Sequence, residues 1–308
     1  MARHRFAVLT AAATYALLFL GGLVTSTGSG LAVPDWPLSF GQVMPEMVGG
    51  VLFEHGHRLA ASTVGLLTLV LSVWTVVREQ RPGVRALGIV MLVAVILQGV
   101  LGGVTVLYKL PLAVSVTHAC LAQAFFCLTV VMAVVTGPAW GPPRARPIEL
   151  AAPLPALAAC TTALVFVQLA LGALVRHTGA GLAIPDFPLA FGRIVPPFET
   201  PLISLHFAHR VGALVIATMT LTLASTVFRH PGADRGLRRL TALGVALLVA
   251  QIALGASIIW TRRSVVPTTT HLVVGAALLA TCLVVTLRAG RAAIAAPVAR
   301  RFRHAVPA

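Results

Sequence analysis

Long apolar blocks separated by short polar connectors run along this chain. The blocks lie at about 7–24, 51–77, 86–107, 112–136, 154–175, 202–228, 240–260 and 269–287. Each is close to the ~20 residues that a helix needs to cross the hydrocarbon layer of a bilayer. Apolar and polar positions do not alternate within them, so they predict helices and not the strands of a barrel. The expected fold class is therefore all-α, a polytopic membrane protein with eight transmembrane helices. The first block has the length of a signal-peptide core. It lacks a clear small-residue cleavage site, and seven more spans follow, so it is read as a helix.

The blocks also repeat. "GLAVPDWPLSF" runs from Gly30 to Phe40, and "GLAIPDFPLAF" from Gly181 to Phe191. Asp35 and Asp186 are 151 residues apart, and His57 and His209 are 152 apart. Gln98 and Gln251, Gly102 and Gly255, and His118 and His271 are each 153 apart. A near-constant offset over four helices predicts a duplicated four-helix unit. Four is even, so both halves insert in the same orientation, as two parallel bundles related by a pseudo-twofold axis along the membrane normal. The expected organisation is an N-terminal half at 1–140, a Gly/Pro/Arg-containing linker at 141–150, and a C-terminal half at 151–308.

Composition changes the picture in two ways. Only 10% of the 308 residues are charged and 58% are hydrophobic, against about 25% charged residues in a soluble domain. A soluble surface is excluded. The formal net charge of +15 does not point to nucleic acid, because the basic residues fall in connectors. Sixteen of them lie at the N-terminus (Arg3, Arg5), in 78–85, in 144–146, in 229–239 and in the C-terminal tail. Five lie on the opposite side: Lys109, Arg176, Arg193, Arg262 and Arg263. The positive-inside rule then places both termini in the cytoplasm and both copies of the repeated segment on the outer face. The four cysteines, Cys120, Cys127, Cys160 and Cys282, lie within apolar runs and read as buried small residues.

Ten histidines occur. His57 and His209, in "EHGHR" and "HFAHR", open helices two and six. His118 and His271 lie near the start of helices four and eight. Each half thus offers two histidines at similar depth on two helices that run inward. Ionisable groups within the membrane are costly and mark function. Two facing imidazoles without a cysteine or carboxylate quartet suit the axial positions of a haem, whereas zinc asks for four ligands. The competing reading is interhelical hydrogen bonding. His55 has Phe207 as its counterpart and reads as interfacial, and His177, opposite Ser26, reads as loop.

Glu54 and His206 occupy matching positions, each one turn before a candidate ligand. A carboxylate beside one haem can act as acid or base. The imidazole in its place cannot supply a negative charge, so the halves predict one reactive and one supporting site. Pairing of Glu54 with Arg58 is the structural alternative. Arg58 and Arg210 follow the candidate ligands, with haem propionates, Asp35 or Asp186 as expected partners. Asp35 and Asp186 read as anchors of outer loops.

The eight helices in two halves, E-x-x-H-R at Glu54–Arg58, the three further histidines and "TGSGLAVPDWPLSFG" together resemble the haem A synthase family over roughly 10–290. The resemblance implies a cell-membrane (inner-membrane) oxidoreductase that converts haem O to haem A. A porphyrin methyl would be hydroxylated twice and lose water to give a formyl group, and the product would serve terminal oxidases. It implies haem b held by His209 and His271, substrate haem O held by His57 and His118, and a catalytic Glu54. The implied partners are haem O handed over by a haem O synthase, the lipid bilayer, an unidentified redox partner and a further copy of the chain, with no nucleic acid. Many family members carry a cysteine pair in the first outer loop. Here those places are Val33 and Ser39, with Ile184 and Ala190 in the second loop, which resembles the cysteine-free branch. Two alternatives stay open: a bis-histidine di-haem cytochrome b that passes electrons, and a transporter.

Overall fold

A computed structural model describes residues 1–140 and 153–303. Its eight long helices are α1 (Ala2–Ser26), α2 (Gly50–Arg78), α3 (Pro82–Leu107), α4 (Leu112–Thr136), α5 (Pro153–His177), α6 (Pro201–Arg229), α7 (Arg235–Trp260) and α8 (Val265–Arg303). All eight have spans long and apolar enough to cross a membrane, and the chain is an all-α, multi-pass membrane protein. The linker expected at 141–150, with Arg144 and Arg146, lies outside the described residues. The short turn Pro138–Trp140 precedes it.

The helix ends follow local chemistry. Pro82 and Pro201 sit in the first turn of α3 and α6, where the missing N–H would have no helical partner anyway. Thr200 caps α6 by accepting from Ile203 N at 3.3 Å. Asp234 caps α7 by accepting from Leu237 N at 2.6 Å. α8 continues sixteen residues past the end of its apolar block. Hydropathy marks only the lipid-facing part, while the Ala- and Arg-rich extension has high helix propensity. His177, expected in a loop, is the last residue of α5. Within the spans, hydroxyls donate back to carbonyls one turn earlier. Examples are Thr10 to Phe6 (2.9 Å), Thr68 to Val64 (2.8 Å) and Thr241 to Leu237 (2.9 Å). Such bonds satisfy a hydroxyl where no water is at hand.

Helix contacts repeat from half to half. In the first, α1 meets α2, α2 meets α3, α3 meets α4, and α4 closes on α1. The same four contacts join α5, α6, α7 and α8. The halves meet where α1 packs on α8, α4 on α5 and α4 on α8. Leu18, Phe126, Val273 and Ala276 form the apolar centre of this seam. Polar contacts reinforce it. Tyr15 Oη donates to the Val273 carbonyl at 3.0 Å. Arg176 donates to the Gly22 carbonyl (2.8 Å) and to Ser26 Oγ (2.7 Å), and Thr269 Oγ1 donates to the same Ser26 oxygen at 2.8 Å.

The basic end of the first half is tied by one carboxylate. Glu79 pairs with Arg3 and, at 2.9 Å, with Arg81. Arg81 also donates to the Val135 carbonyl at 3.0 Å. The Arg81 side chain, aided by Arg3, holds the Glu79 carboxyl down at about 2. The beginning of α1 and the ends of α2 and α4 are thereby joined.

Candidate functional site

The two copies of the repeated segment fold alike, after α1 and after α5. Ser39 and Gln42 exchange backbone hydrogen bonds (2.9 and 3.0 Å), as do Ala190 and Arg193 (2.7 and 3.1 Å). Phe40–Gly41 and Phe191–Gly192 both lie in the left-handed region, which suits glycine and strains phenylalanine. The aspartates explain how that strain is held. Asp35 accepts from Gly41 N at 2.8 Å and Phe40 N at 2.7 Å. Asp186 accepts from Gly192 N and Phe191 N, both at 2.7 Å. These amides hold both carboxyls below the ordinary aspartate value, with Gly41 and Gly192 the largest contributors.

The expected ion pairs of Arg58 with Asp35 and Arg210 with Asp186 are not made. The turns already occupy the carboxylates, so the guanidinium groups take the aspartates' backbone carbonyls instead. Arg58 Nη1 donates to the carbonyls of Asp35 (2.7 Å) and Leu38 (2.9 Å). Arg210 donates to those of Asp186 (2.7 Å) and Leu189 (2.8 Å). The aspartates are loop anchors as expected, acting within their own turns.

Glu54 is buried, at 4% exposure. Its Oε1 accepts from Arg58 Nη2 at 2.7 Å and its Oε2 from Val33 N at 2.9 Å. His206 performs the same two tasks. Its Nδ1 accepts from Ile184 N at 3.2 Å, and Arg210 Nε lies 3.4 Å from its Nε2. The structural alternative for Glu54, pairing with Arg58, is thus present, and sequence reasoning missed the bond to Val33. His55, expected at the interface, is buried at 5% exposure and pairs through Nδ1 with Ser39 Oγ at 2.8 Å. Opposite them in the repeat, Ala190 and Phe207 pack in one apolar cluster. Trp36 lies against Gly103 of α3, where an added Cβ would come within 2.6 Å of the indole. The equivalents are Phe187 and Ala256.

The four repeated histidines share one environment. Each imidazole edge meets a glycine on the preceding helix: His57 meets Gly21, His118 meets Gly102, His209 meets Gly172, and His271 meets Gly255. An added Cβ would lie 3.0–3.3 Å from the ring Cε1 in all four cases. The glycines therefore let the rings sit between helices. Sequence offsets mark Gly102 and Gly255; Gly21 and Gly172 stand 151 apart and carry the same signal. His57 and His118 lie within electrostatic reach of each other, as do His209 and His271.

These residues fit a haem. Nδ1 of His57, His118 and His271 is buried without a hydrogen-bond partner, an arrangement that costs free energy unless the ring has another task. Gln98 Nε2 donates to the His118 carbonyl at 3.1 Å and lies 3.3 Å from its Nε2, so ligation there needs the amide to turn aside. Among the described residues, no three of His, Cys, Asp and Glu converge as a metal-ion site would.

Comparison with known proteins accords with this chemistry. Residues 47–283 match the family described as cytochrome oxidase assembly protein (COX15-CtaA). The haem A synthase of Symbiobacterium thermophilum is 34% identical over 242 residues, covering 77% of this chain and 78% of that protein. The haem A synthase of Shouchella clausii is 28% identical, covering 84% and 87%. That of Halalkalibacterium halodurans is also 28% identical, covering 92% and 95%. A family match over most of the chain, on a fold that repeats two histidines in each half and sets Glu54 in one half against His206 in the other, makes this chain a member of the cytochrome oxidase assembly family of haem A synthases.

Proposed function

We propose that this protein oxidises haem O to haem A in the cell membrane. Its N-terminal half would take haem O through His57 and His118. Its C-terminal half would hold haem b through His209 and His271. The observation that carries this reading is chemical asymmetry within a faithful repeat: four alike histidines, but a carboxylate at Glu54 where His206 stands.

Haem b, when bound, supplies a one-electron redox centre to the enzyme. The chain's own residues do the rest. The glycine-backed imidazoles fix where each macrocycle stands. The outer loops, anchored by Asp35 with Arg58 and Asp186 with Arg210, cover the two sites and limit water. Glu54 is the one carboxylate within a turn of a ligand, and is placed to accept a proton as the substrate methyl is hydroxylated.

The test is expression in a host that makes haem O and no haem A, followed by extraction and chromatography of the haems. Haem A should appear with the intact chain. A folded, haem-loaded protein that yields none would remove this reading in favour of an electron-passing di-haem cytochrome. Handover from a haem O synthase, the redox partner and self-association belong to the same proposal. Pull-down with a haem O synthase addresses the first of these.

A further inference from the structure

Arg176 is a cation on the membrane-spanning helix α5. The ion pairs among the described residues join Arg3 and Arg81 to Glu79 and Arg58 to Glu54, and Arg176 belongs to none of them. It bonds α1 across the seam instead. Both bonds, to the Gly22 carbonyl and to Ser26 Oγ, use Nη2. Its Nη1 and Nε donate to no acceptor among the described residues. Arg263, exposed in the turn between α7 and α8, lies within electrostatic reach of it. Two like charges at a membrane span repel each other and are costly to keep there unless an anion joins them.

The place of Arg176 says which anion. Gly172 backs the His209 ring, and Arg176 follows it by one helical turn on the same face of α5. Arg176 also lies within electrostatic reach of His271. Ser26, which its Nη2 reaches, accepts from Thr269 on the turn of α8 that carries His271. The guanidinium is thus beside both histidines of the C-terminal site. The charged groups of a haem are its propionates, and arginine is the side chain that matches a carboxylate. Arg58 and Arg210 are engaged by loop carbonyls. The first half has no cation at the matched places. Thr25 follows Gly21 by one turn and donates back to the Gly21 carbonyl at 3.2 Å. Leu110 lies over Gly30, where the stem of Arg263 passes Gly181.

We propose that Arg176, with Arg263 beside it, forms a carboxylate-binding site for a propionate of the C-terminal haem. Anchored to α1 through Nη2, the Arg176 side chain offers Nη1 and Nε with little further loss of rotamer freedom. The inference rests on the assignment of haem b to His209 and His271. It ties that site to the seam, because the residue that holds the propionate also holds α5 to α1.

The test compares haem b with its propionate dimethyl ester, which keeps the iron and the macrocycle and loses the negative charges. Full-length protein with His57→Ala and His118→Ala, in phosphatidylcholine nanodiscs, is titrated with each and followed by low-spin haem absorbance. This parent should prefer haem b roughly 10-fold, and Arg176→Gln should bring the two affinities together. Equal affinities in the parent overturn the inference with no further substitution. So does an Arg176→Gln protein that binds both more weakly but keeps the preference, since that is the mark of a residue that only holds the seam. Should Arg176→Gln fail to fold, Arg263→Gln decides: it changes an exposed side chain and should reduce the preference, and an unchanged preference overturns the inference. Phosphatidylglycerol in the nanodiscs should leave the preference in place; its loss there would give the arginines to a lipid phosphate instead. A folded parent that binds neither haem b nor the ester removes the haem b assignment itself, and the inference with it.

Discussion

At Glu54 one carboxylate carries two features: it anchors the loop between α1 and α2 through Val33 N, and it is the acid that the second half lacks. Glu54→His separates them, because His206 already shows that an imidazole can hold this loop. The expected outcome is a haem-loaded protein with haem A formation down at least ~100-fold, the usual scale of acid–base assistance. Undiminished conversion would leave Glu54 an anchor only. The four glycines behind the histidines make a second residue-scale prediction. Gly172→Ala puts a Cβ 3.1 Å from the His209 ring, and such overpacking costs about 1–3 kcal/mol. The low-spin haem b absorbance should fall, while Gly65→Ala, which meets nothing within 4 Å, should leave it intact. Asp35 and Asp186 give a pH prediction. Their carboxyls are lowered in the folded loops, so their contribution is full above the unfolded value near 3.8 and is lost as pH falls through the lower folded value. Trp36 fluorescence should therefore hold steady through pH 4 and shift only below it, and Asp35→Asn should remove that transition.

Element by element, the sequence was most readable where chemistry is periodic or duplicated. Eight apolar blocks located eight helices, with errors only at ends such as α8, where helix propensity outlasts hydropathy. The histidines were legible because an offset near 152 brings rare residues into register. What could not be read were contacts between a loop and a helix: Glu54 with Val33, Ser39 with His55, Arg58 with loop carbonyls in place of Asp35. Those depend on how the loop turns, which the Phe40–Gly41 backbone decides and spacing does not. The seam between halves was equally hidden, since Gly22, Ser26, Arg176 and Thr269 share no motif. Removing the Arg176 guanidinium abolishes two bonds across it. Hydrogen bonds to charged groups contribute about 1.5–3 kcal/mol each. Arg176→Ala should therefore lower the midpoint of thermal unfolding in detergent by several degrees. An unchanged midpoint would mean that the apolar centre around Phe126 carries the seam alone.

On the scale of the whole molecule, both repeated loops belong to the face away from the basic ends. Val43 and Ile194, at their tips, are 76% and 85% exposed. In a cysteine-free background, Val43→Cys and Ile194→Cys should react with a membrane-impermeant thiol reagent in intact cells, and a cysteine at Gln80 should not. Labelling of Gln80→Cys instead would invert the topology. The contact between Trp36 and Gly103 bears on how such a molecule changes over generations. Where the first half packs the Trp36 indole on Gly103, the second has Phe187, set edge-on against Trp260, and Ala256; where Ser39 meets His55, Ala190 and Phe207 replace both. At both places the two matched positions differ together. Gene conversion that copied residues 30–41 over 181–192 would set an indole where Phe187 now meets Trp260 and a lone hydroxyl against Phe207. Once such pairs had diverged, the two copies ceased to be templates for each other's repair, and their separate careers became hard to reverse.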